Sequence, residues 1–326
     1  MKNIRWGILG PGNIAHSFAN DLKLVDGGHI AAVASRNKNR AQAFAEEYGA
    51  KEYFGTYEEL FESKNVDVIY IATPHTGHAK WAIKAMESKK HVLCEKPMGI
   101  DADEVKTMIT SAKKNQVFLM EALWSRFNPS IEKVKELIDE GIIGDVSYLN
   151  ASFGFYALDR EEDGRLLNPD LGGGSLLDIG IYPIFLAYLI LGKPDNIEAA
   201  SLFYKTGVEI QTSMIFEYPD AQAVLCSGLR SKINMRAEIS GTDGSAFLQT
   251  RWHETQGYII EKDGEAKVFD LPTLGKGYSH EIQEVHDCLR NGRLQSEKWG
   301  WQNSLDLANL LDEVRSITGT TFPFEE

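Results

Sequence analysis

Between a short β-branched run and the start of a helical pattern stands Gly10-Pro11-Gly12-Asn13-Ile14-Ala15, a match to G-x-G-x-x-[G/A]. Glycines at this spacing let the backbone turn sharply and approach a pyrophosphate. The helix that begins here offers unpaired N–H groups at its positive dipole end. Alone the spacing is a weak signal, and its setting gives it force. A strand over 4–9 precedes it and a helix over 13–24 follows. Further β-branched runs at 30–34, 66–72, 91–94 and 117–120 then alternate with helical stretches at 38–48, 57–63, 77–88 and 102–114. Such alternation predicts an α/β Rossmann domain, a doubly wound parallel sheet with helices on both faces. Wholly apolar strands such as Val68-Ile69-Tyr70-Ile71-Ala72 suit a sheet buried on both sides.

After about Ser125 the rhythm changes. A helix over 130–140 ends at Gly141, and long alternating runs follow at 146–155, 197–205, 208–217, 222–228, 235–240, 245–249 and 257–260. Turn signals such as Tyr218-Pro219-Asp220 and Thr242-Asp243-Gly244 separate several of them. Two helices, at 279–291 and 301–316, close the chain. This predicts a C-terminal α+β domain built on a large, mostly antiparallel open sheet. The expected division is 1–122 for dinucleotide binding and 123–326 for substrate binding and oligomerisation, and 326 residues suffice for two ordinary cores.

In a dinucleotide-binding sheet the second strand ordinarily ends in Asp or Glu, which hydrogen-bonds the ribose 2′-hydroxyl of NAD. Here the chain reads Ala34-Ser35-Arg36-Asn37 at that offset. A carboxylate would repel a 2′-phosphate, whereas Ser35 can donate to one, Arg36 can pair with it, and Arg40 lies one helical turn on. The expected cofactor is therefore NADP(H). Gly10, Gly12, Asn13 and Ile14 would hold the pyrophosphate, and Ser35, Arg36 and Arg40 the 2′-phosphate.

Glu95-Lys96-Pro97 comes at the C-terminal end of a strand, where ligands bind in such sheets. Gly172-Gly173-Gly174-Ser175 opens an apolar helix bearing Asp178 and Tyr182, four apart and so on one face. Polar groups buried on such a helix need polar partners. With Thr73-Pro74-His75-Thr76-Gly77-His78, these motifs in this order resemble the glucose–fructose oxidoreductase, inositol dehydrogenase and MocA family over nearly the whole chain. Many members carry Asp-x-x-x-His where this chain has Asp178 and Tyr182. The stretch Met120-Glu121-Ala122-Leu123-Trp124-Ser125-Arg126-Phe127-Asn128-Pro129 is similar to the branch holding dimeric dihydrodiol dehydrogenases and NADP-dependent D-xylose dehydrogenases. In that branch tyrosine takes the place of histidine as acid/base.

The resemblance implies hydride transfer between a nicotinamide and a secondary alcohol of a small sugar, polyol or cyclic diol. It implies Lys96, Tyr182 and Asp178 as the catalytic group. A phenol of ordinary pKa, about 10, is a poor base at neutral pH, and a nearby ammonium favours its ionised form. Whether Tyr182 or Lys96 takes the proton stays open at this point. Asp178 has a structural role at a helix start as its alternative. Thr73, Pro74, His75, His78, Glu95, Trp124 and Arg126 are further candidates for the cofactor site. Phe153, Phe155 and Tyr156 could form an apolar wall for a ring substrate. His75 and His78 stand i, i+3, but no third ligand pattern accompanies them, so no metal is expected. Two rivals are an NAD-dependent inositol or sugar-phosphate dehydrogenase and a non-catalytic dinucleotide or metabolite sensor.

Composition narrows the partners. Net charge of −13, from 47 acidic and 34 basic residues, argues against nucleic acid or an anionic membrane. Cys94, Cys226 and Cys288 are far apart and read as free thiols in a reducing compartment. The longest apolar run, 179–191, contains Pro183 and reads as a buried helix rather than a span. A cytoplasmic protein is expected, forming a homodimer or homotetramer through the C-terminal sheet as the resemblance implies.

Overall fold

The computed structural model describes residues 3–325, and these divide into two compact units. The first comprises residues 3–124 and 274–305. Its sheet has six parallel strands, β1 (Ile4–Leu9), β2 (Gly28–Ala34), β3 (Glu52–Phe54), β4 (Val68–Ile71), β5 (His91–Glu95) and β6 (Leu119–Ala122), in the order β3-β2-β1-β4-β5-β6. The connecting helices are α1 (Asn13–Leu22), α2 (Lys38–Tyr48), α3 (Tyr57–Glu62), α4 (His78–Glu87) and α5 (Ala102–Asn115). Sequence places their starts: Asn37 caps α2, Thr56 and Glu59 form a capping box on α3, and Asp101 caps α5. Strands β4 and β5 lie in the core, with Val68, Ile69, Tyr70, Ile71, Val92, Leu93 and Cys94 all fully buried. The strand order reverses between β1 and β4, and the carboxyl ends of these two strands are the ligand position of doubly wound sheets.

The second unit comprises residues 125–273 and 306–325. After α6 (Pro129–Asp139) come β7 (Val146–Gly154), α7 (Ile181–Leu191), β8 (Asn196–Phe203), β9 (Glu209–Glu217), β10 (Gln222–Gly228), β11 (Ala237–Gly241), β12 (Gly244–Leu248), β13 (Gly257–Lys262) and β14 (Glu265–Asp270). The eight strands run in the order β14-β13-β12-β11-β7-β10-β9-β8, antiparallel except for the parallel pair β7–β10. One face packs against α7, which lies on β7 and β10, and α6, which lies on β12 and β13. The segment 169–191 passes a length-and-composition test for a membrane span, yet 78% of its apolar window is buried inside the protein. Packing on the sheet accounts for its hydrophobicity.

Helices α8 (Tyr278–Arg290) and α9 (Trp301–Thr318) follow. The second unit is thus not the uninterrupted 123–326 of the sequence analysis. Residues 274–305 return to the first unit, where the Trp6 indole donates to His286 Nε2 at 3.0 Å and Leu119 N–H donates to the Leu294 carbonyl at 3.0 Å. Strands β3 and β14 also go beyond the sequence reading. The helix expected at 179–191 is entered by a wider π-helical turn over Leu176–Gly180.

Candidate active site

In the first unit the glycine loop is built as its composition requires. Gly10 has φ +89, and a Cβ there would stand 2.8 Å from the Ala72 carbonyl oxygen. Gly12 caps α1 without a side-chain acceptor for the first-turn N–H groups, and a Cβ on it would meet nothing within 4 Å. An open approach to an uncapped helix start fits a pyrophosphate. Asn13 and Ile14 are exposed on the first turn.

At the end of β2, Ser35 is buried and accepts from the Asn37 N–H at 3.2 Å, while Arg36 and Arg40 are exposed. Arg40 also donates to the Pro11 carbonyl at 3.1 Å, tying this corner to the glycine loop. Burial raises the Tyr57 phenol above its ordinary value, against the pull of Arg36, which hydrogen-bonds its hydroxyl, and of Arg40. Two guanidinium groups, a serine and a phenol thus gather where the acid is missing, a donor set that fits a phosphate. Tyr57 had no signal in the sequence beyond its place at a helix start.

Lys96 follows the last residue of β5, and the Lys96–Pro97 peptide is cis. Its turn is held from two sides. The His78 ring is fully buried, with Nδ1 2.7 Å from the Pro97 carbonyl and Nε2 2.9 Å from the Thr73 carbonyl. Burial, with the Lys96 ammonium adding to it, lowers the His78 pKa. The ring thus lies between the Thr73-Pro74 turn and the Lys96 turn, with one nitrogen against a carbonyl of each. From the other side, Glu121 accepts from the Met98 N–H at 2.9 Å and the Trp299 indole at 3.2 Å. Burial raises the Glu121 carboxyl, and its hydrogen bonds and Lys96 oppose the rise. Glu95 accepts from the Tyr70 hydroxyl and, at 3.2 Å, from the Lys96 N–H. The His75 and His78 rings lie 5.7 Å apart, but His78 is committed to carbonyls. Trp124 stacks on Tyr278 at 4.7 Å and 7°.

In the second unit, Asp178 lies in the π-helical turn and Tyr182 in the first turn of α7, 5% and 4% exposed. The buried Asp178 carboxylate finds its partner in Arg165, at 2.8 Å. Tyr182 sits in an aromatic cluster. Its ring centroid is 5.4 Å from those of both Phe153 and His253, and Phe153 stacks on His253 at 4.0 Å. Phe155 lies 6.4 Å from Phe153 and carries Arg160 over its face, while Tyr156 is 47% exposed. Of the three proposed wall residues, Phe153 packs on Tyr182 itself and Phe155 packs on Phe153. Arg126 pairs with Glu132 at 3.2 Å. His253 was missed: it follows Trp252 in a short turn, with no motif around it.

The arrangement in each unit matches known proteins. An oxidoreductase family described by an NAD-binding Rossmann fold, GFO_IDH_MocA, matches residues 4–123, and the GFO/IDH/MocA C-terminal domain matches residues 131–247. A mouse trans-1,2-dihydrobenzene-1,2-diol dehydrogenase is 38% identical over 98% of each chain. A 3-ketoreductase from Actinomadura kijaniata, solved with NADP and TDP-benzene, superposes with a TM-score of 0.88 at 28% identity, covering 97% of this chain and 98% of its own. That enzyme has also been solved as a tyrosine-to-phenylalanine and as a lysine-to-alanine variant. An aldose–aldose oxidoreductase from Caulobacter crescentus shares the fold, with a TM-score of 0.90 at 24% identity and 98% coverage of both chains.

Proposed function

The chain belongs to the GFO/IDH/MocA oxidoreductase family, and from that premise we propose that it is an NADP(H)-dependent dehydrogenase of a small sugar, polyol or cyclic diol. One observation carries the reading. Within this family, the chain presents Lys96 at the carboxyl end of β5 and Asp178 with Tyr182 on a buried helix start. NADP(H), when bound, supplies or accepts the hydride at its nicotinamide. Every other task falls to the protein. Gly10, Gly12, Asn13 and Ile14 hold the pyrophosphate, and Ser35, Arg36 and Arg40 the 2′-phosphate. Thr73, Pro74, His75, His78, Glu95, Trp124 and Arg126 shape the surroundings of the nicotinamide, His78 by fixing the turn before Lys96.

Tyr182 is assigned the substrate hydroxyl proton, and Lys96 the positive charge that favours the oxyanion formed when that proton leaves. Asp178, held by Arg165, orients substrate or the catalytic pair. Phe153, Phe155 and Tyr156 form the apolar side of the substrate site. An uncharged substrate is favoured over a sugar phosphate because Arg126 and Arg165 already face carboxylates. We place the enzyme in the cytoplasm, where Cys94, Cys226 and Cys288, free in the structure, stay reduced. We also place its oligomer contact on the open face of the sheet of the second unit.

Two measurements test this. Fluorescence titration is expected to give tighter NADPH than NADH binding, and Arg36→Ala should erase most of the preference, by about tenfold or more for a lost charged hydrogen bond. Equal binding, unchanged by the substitution, would move the enzyme to NAD. Tyr182→Phe and Lys96→Met should each lower turnover of D-xylose or trans-1,2-dihydrobenzene-1,2-diol with NADP+ at least ~100-fold. NADPH binding should survive both. Near wild-type turnover in either variant would remove that residue from the chemistry.

A further inference from the structure

Glu209 takes no part in the chemistry assigned above, yet it lies under the helix that carries Asp178 and Tyr182. It opens β9 and is 1% exposed. Three donors converge on its carboxyl: the Leu176 N–H at 2.5 Å, the Ser175 hydroxyl at 2.7 Å and the Thr212 hydroxyl at 3.4 Å. From β10, Ser227 Oγ lies 3.0 Å from Ser175 Oγ. The glycine run is shaped by the same group. Gly174 has φ +119, and a Cβ there would stand 2.4 Å from Glu209 Oε1. The chain carries glycine at 174 because it passes directly over a buried carboxylate.

A set made of donors matches the ionised carboxylate, which accepts and does not donate. Burial opposes that charge and raises the carboxyl to about 7, while the Leu176 N–H and the Ser175 and Thr212 hydroxyls hold it down. The groups acting on Glu209 are thus hydroxyls and backbone amides. On the segment it caps, the titratable groups are Asp178, paired with Arg165, and Tyr182.

We propose that Glu209 is a positioning residue for this reaction: its ionised carboxylate fixes the wide turn over Leu176–Gly180, and protonation releases Asp178 and Tyr182 from their working orientation. The proposal rests on the assignment of Tyr182 to proton transfer. A capping carboxylate that can lose its charge near neutral pH makes this helix start responsive to mild acid.

Rates and pH profiles of wild type, Glu209→Gln, Glu209→Ala and Tyr182→Phe test it, with hydrogen exchange at the amides of residues 176–182 read in parallel. In wild type, kcat should fall on acidification with a midpoint near the carboxyl's value of about 7, while the KM for NADP+ stays constant. Glu209→Gln is neutral like the protonated acid and has no proton to gain, so it should lose that acid limb and hold kcat at every pH near the low value wild type reaches in acid. Glu209→Ala should lower kcat roughly tenfold or more at every pH, as displaced catalytic groups do, and speed exchange over 176–182. An unchanged acid limb in Glu209→Gln, or wild-type kcat and protection in Glu209→Ala, would overturn the proposal. Should Glu209→Ala fail to fold, the glutamine profile decides alone. Full activity in Tyr182→Phe would sink the assignment of Tyr182 instead, and the exchange data would still judge the hold of Glu209 on the helix.

Discussion

A methyl group added at Gly12 meets open space, and one added at Gly174 meets the Glu209 carboxylate. The two substitutions to alanine should therefore separate binding from stability. Gly12→Ala has φ −99 to work with and no neighbour to displace, so its melting temperature should match wild type while NADPH affinity falls about tenfold or more. Gly174→Ala combines a left-handed backbone with a clash and should cost about 2–4 kcal/mol, visible as a lowered melting temperature. Equal melting temperatures for the two would refute the clash. The same contrast marks what single residues disclose in sequence. The tight turn at Gly10 and Gly12 was legible because it lies at a fixed offset from a strand end. Glu209 was not, because it stands at the head of an alternating strand and its partner Ser175 lies 34 residues upstream. Glu121 had even less signal, since Trp299 follows it by 178 residues.

Elements show the same limit in another form. The apolar run at 179–191 announced a buried helix, and α7 is that helix. Its π-helical entry left no trace, because a widened turn does not alter a pattern in which nearly every residue is apolar. The three residues of β3 are too few for a period-2 pattern, and every residue of β14 is exposed, so no buried face wrote itself into that strand. Helix α8 was legible as a helix, but its place beside β1 was not. That placement has a measurable consequence. Burial lowers the His286 pKa from 6.5 to about 4, with Arg290 acting in the same direction. A base with a depressed folded pKa stabilises the fold fully above the unfolded value, and that contribution is lost as pH falls toward the folded one. The first unit should therefore weaken between about pH 6.5 and pH 4, by on the order of 3 kcal/mol. His286→Phe should flatten this dependence and lower the neutral-pH plateau, because the Trp6 indole N–H loses its acceptor. Urea midpoints at pH 7 and pH 4.5 check both, and a variant that keeps the wild-type slope would clear His286 of the effect.

At the scale of the whole molecule, the open face of the eight-stranded sheet presents Tyr148, Leu202, Ile215, Val224 and Val268, each more than a third exposed. Val224 stands directly opposite Ile215. Apolar rows on an exposed sheet face mark contact surfaces, and this is the ground for the oligomer proposed above. Sedimentation should give a multiple of 36.4 kDa for wild type and 36.4 kDa for the double variant Ile215→Lys/Val224→Lys. A monomeric wild type, or an oligomer that survives both lysines, would remove the face from consideration. The alternation of this sheet was legible strand by strand. The return of residues 274–305 to the first unit was not, since nothing in a local pattern records which core a late helix joins.

That return bears on how the protein is made. The N–H of Leu119 on β6 bonds to Leu294, the Leu119 carbonyl accepts from the Trp301 indole, and Trp6 waits for His286. A ribosome adding roughly 5–20 residues per second takes roughly 8 to 36 seconds to travel from β6 to those partners. Throughout that interval the nucleotide-binding half is synthesised but unfinished, with a sheet edge open to any passing strand. Nascent chains caught at this stage are the species on which a holding chaperone would act, and a fragment ending near residue 122 would keep the same open edge permanently.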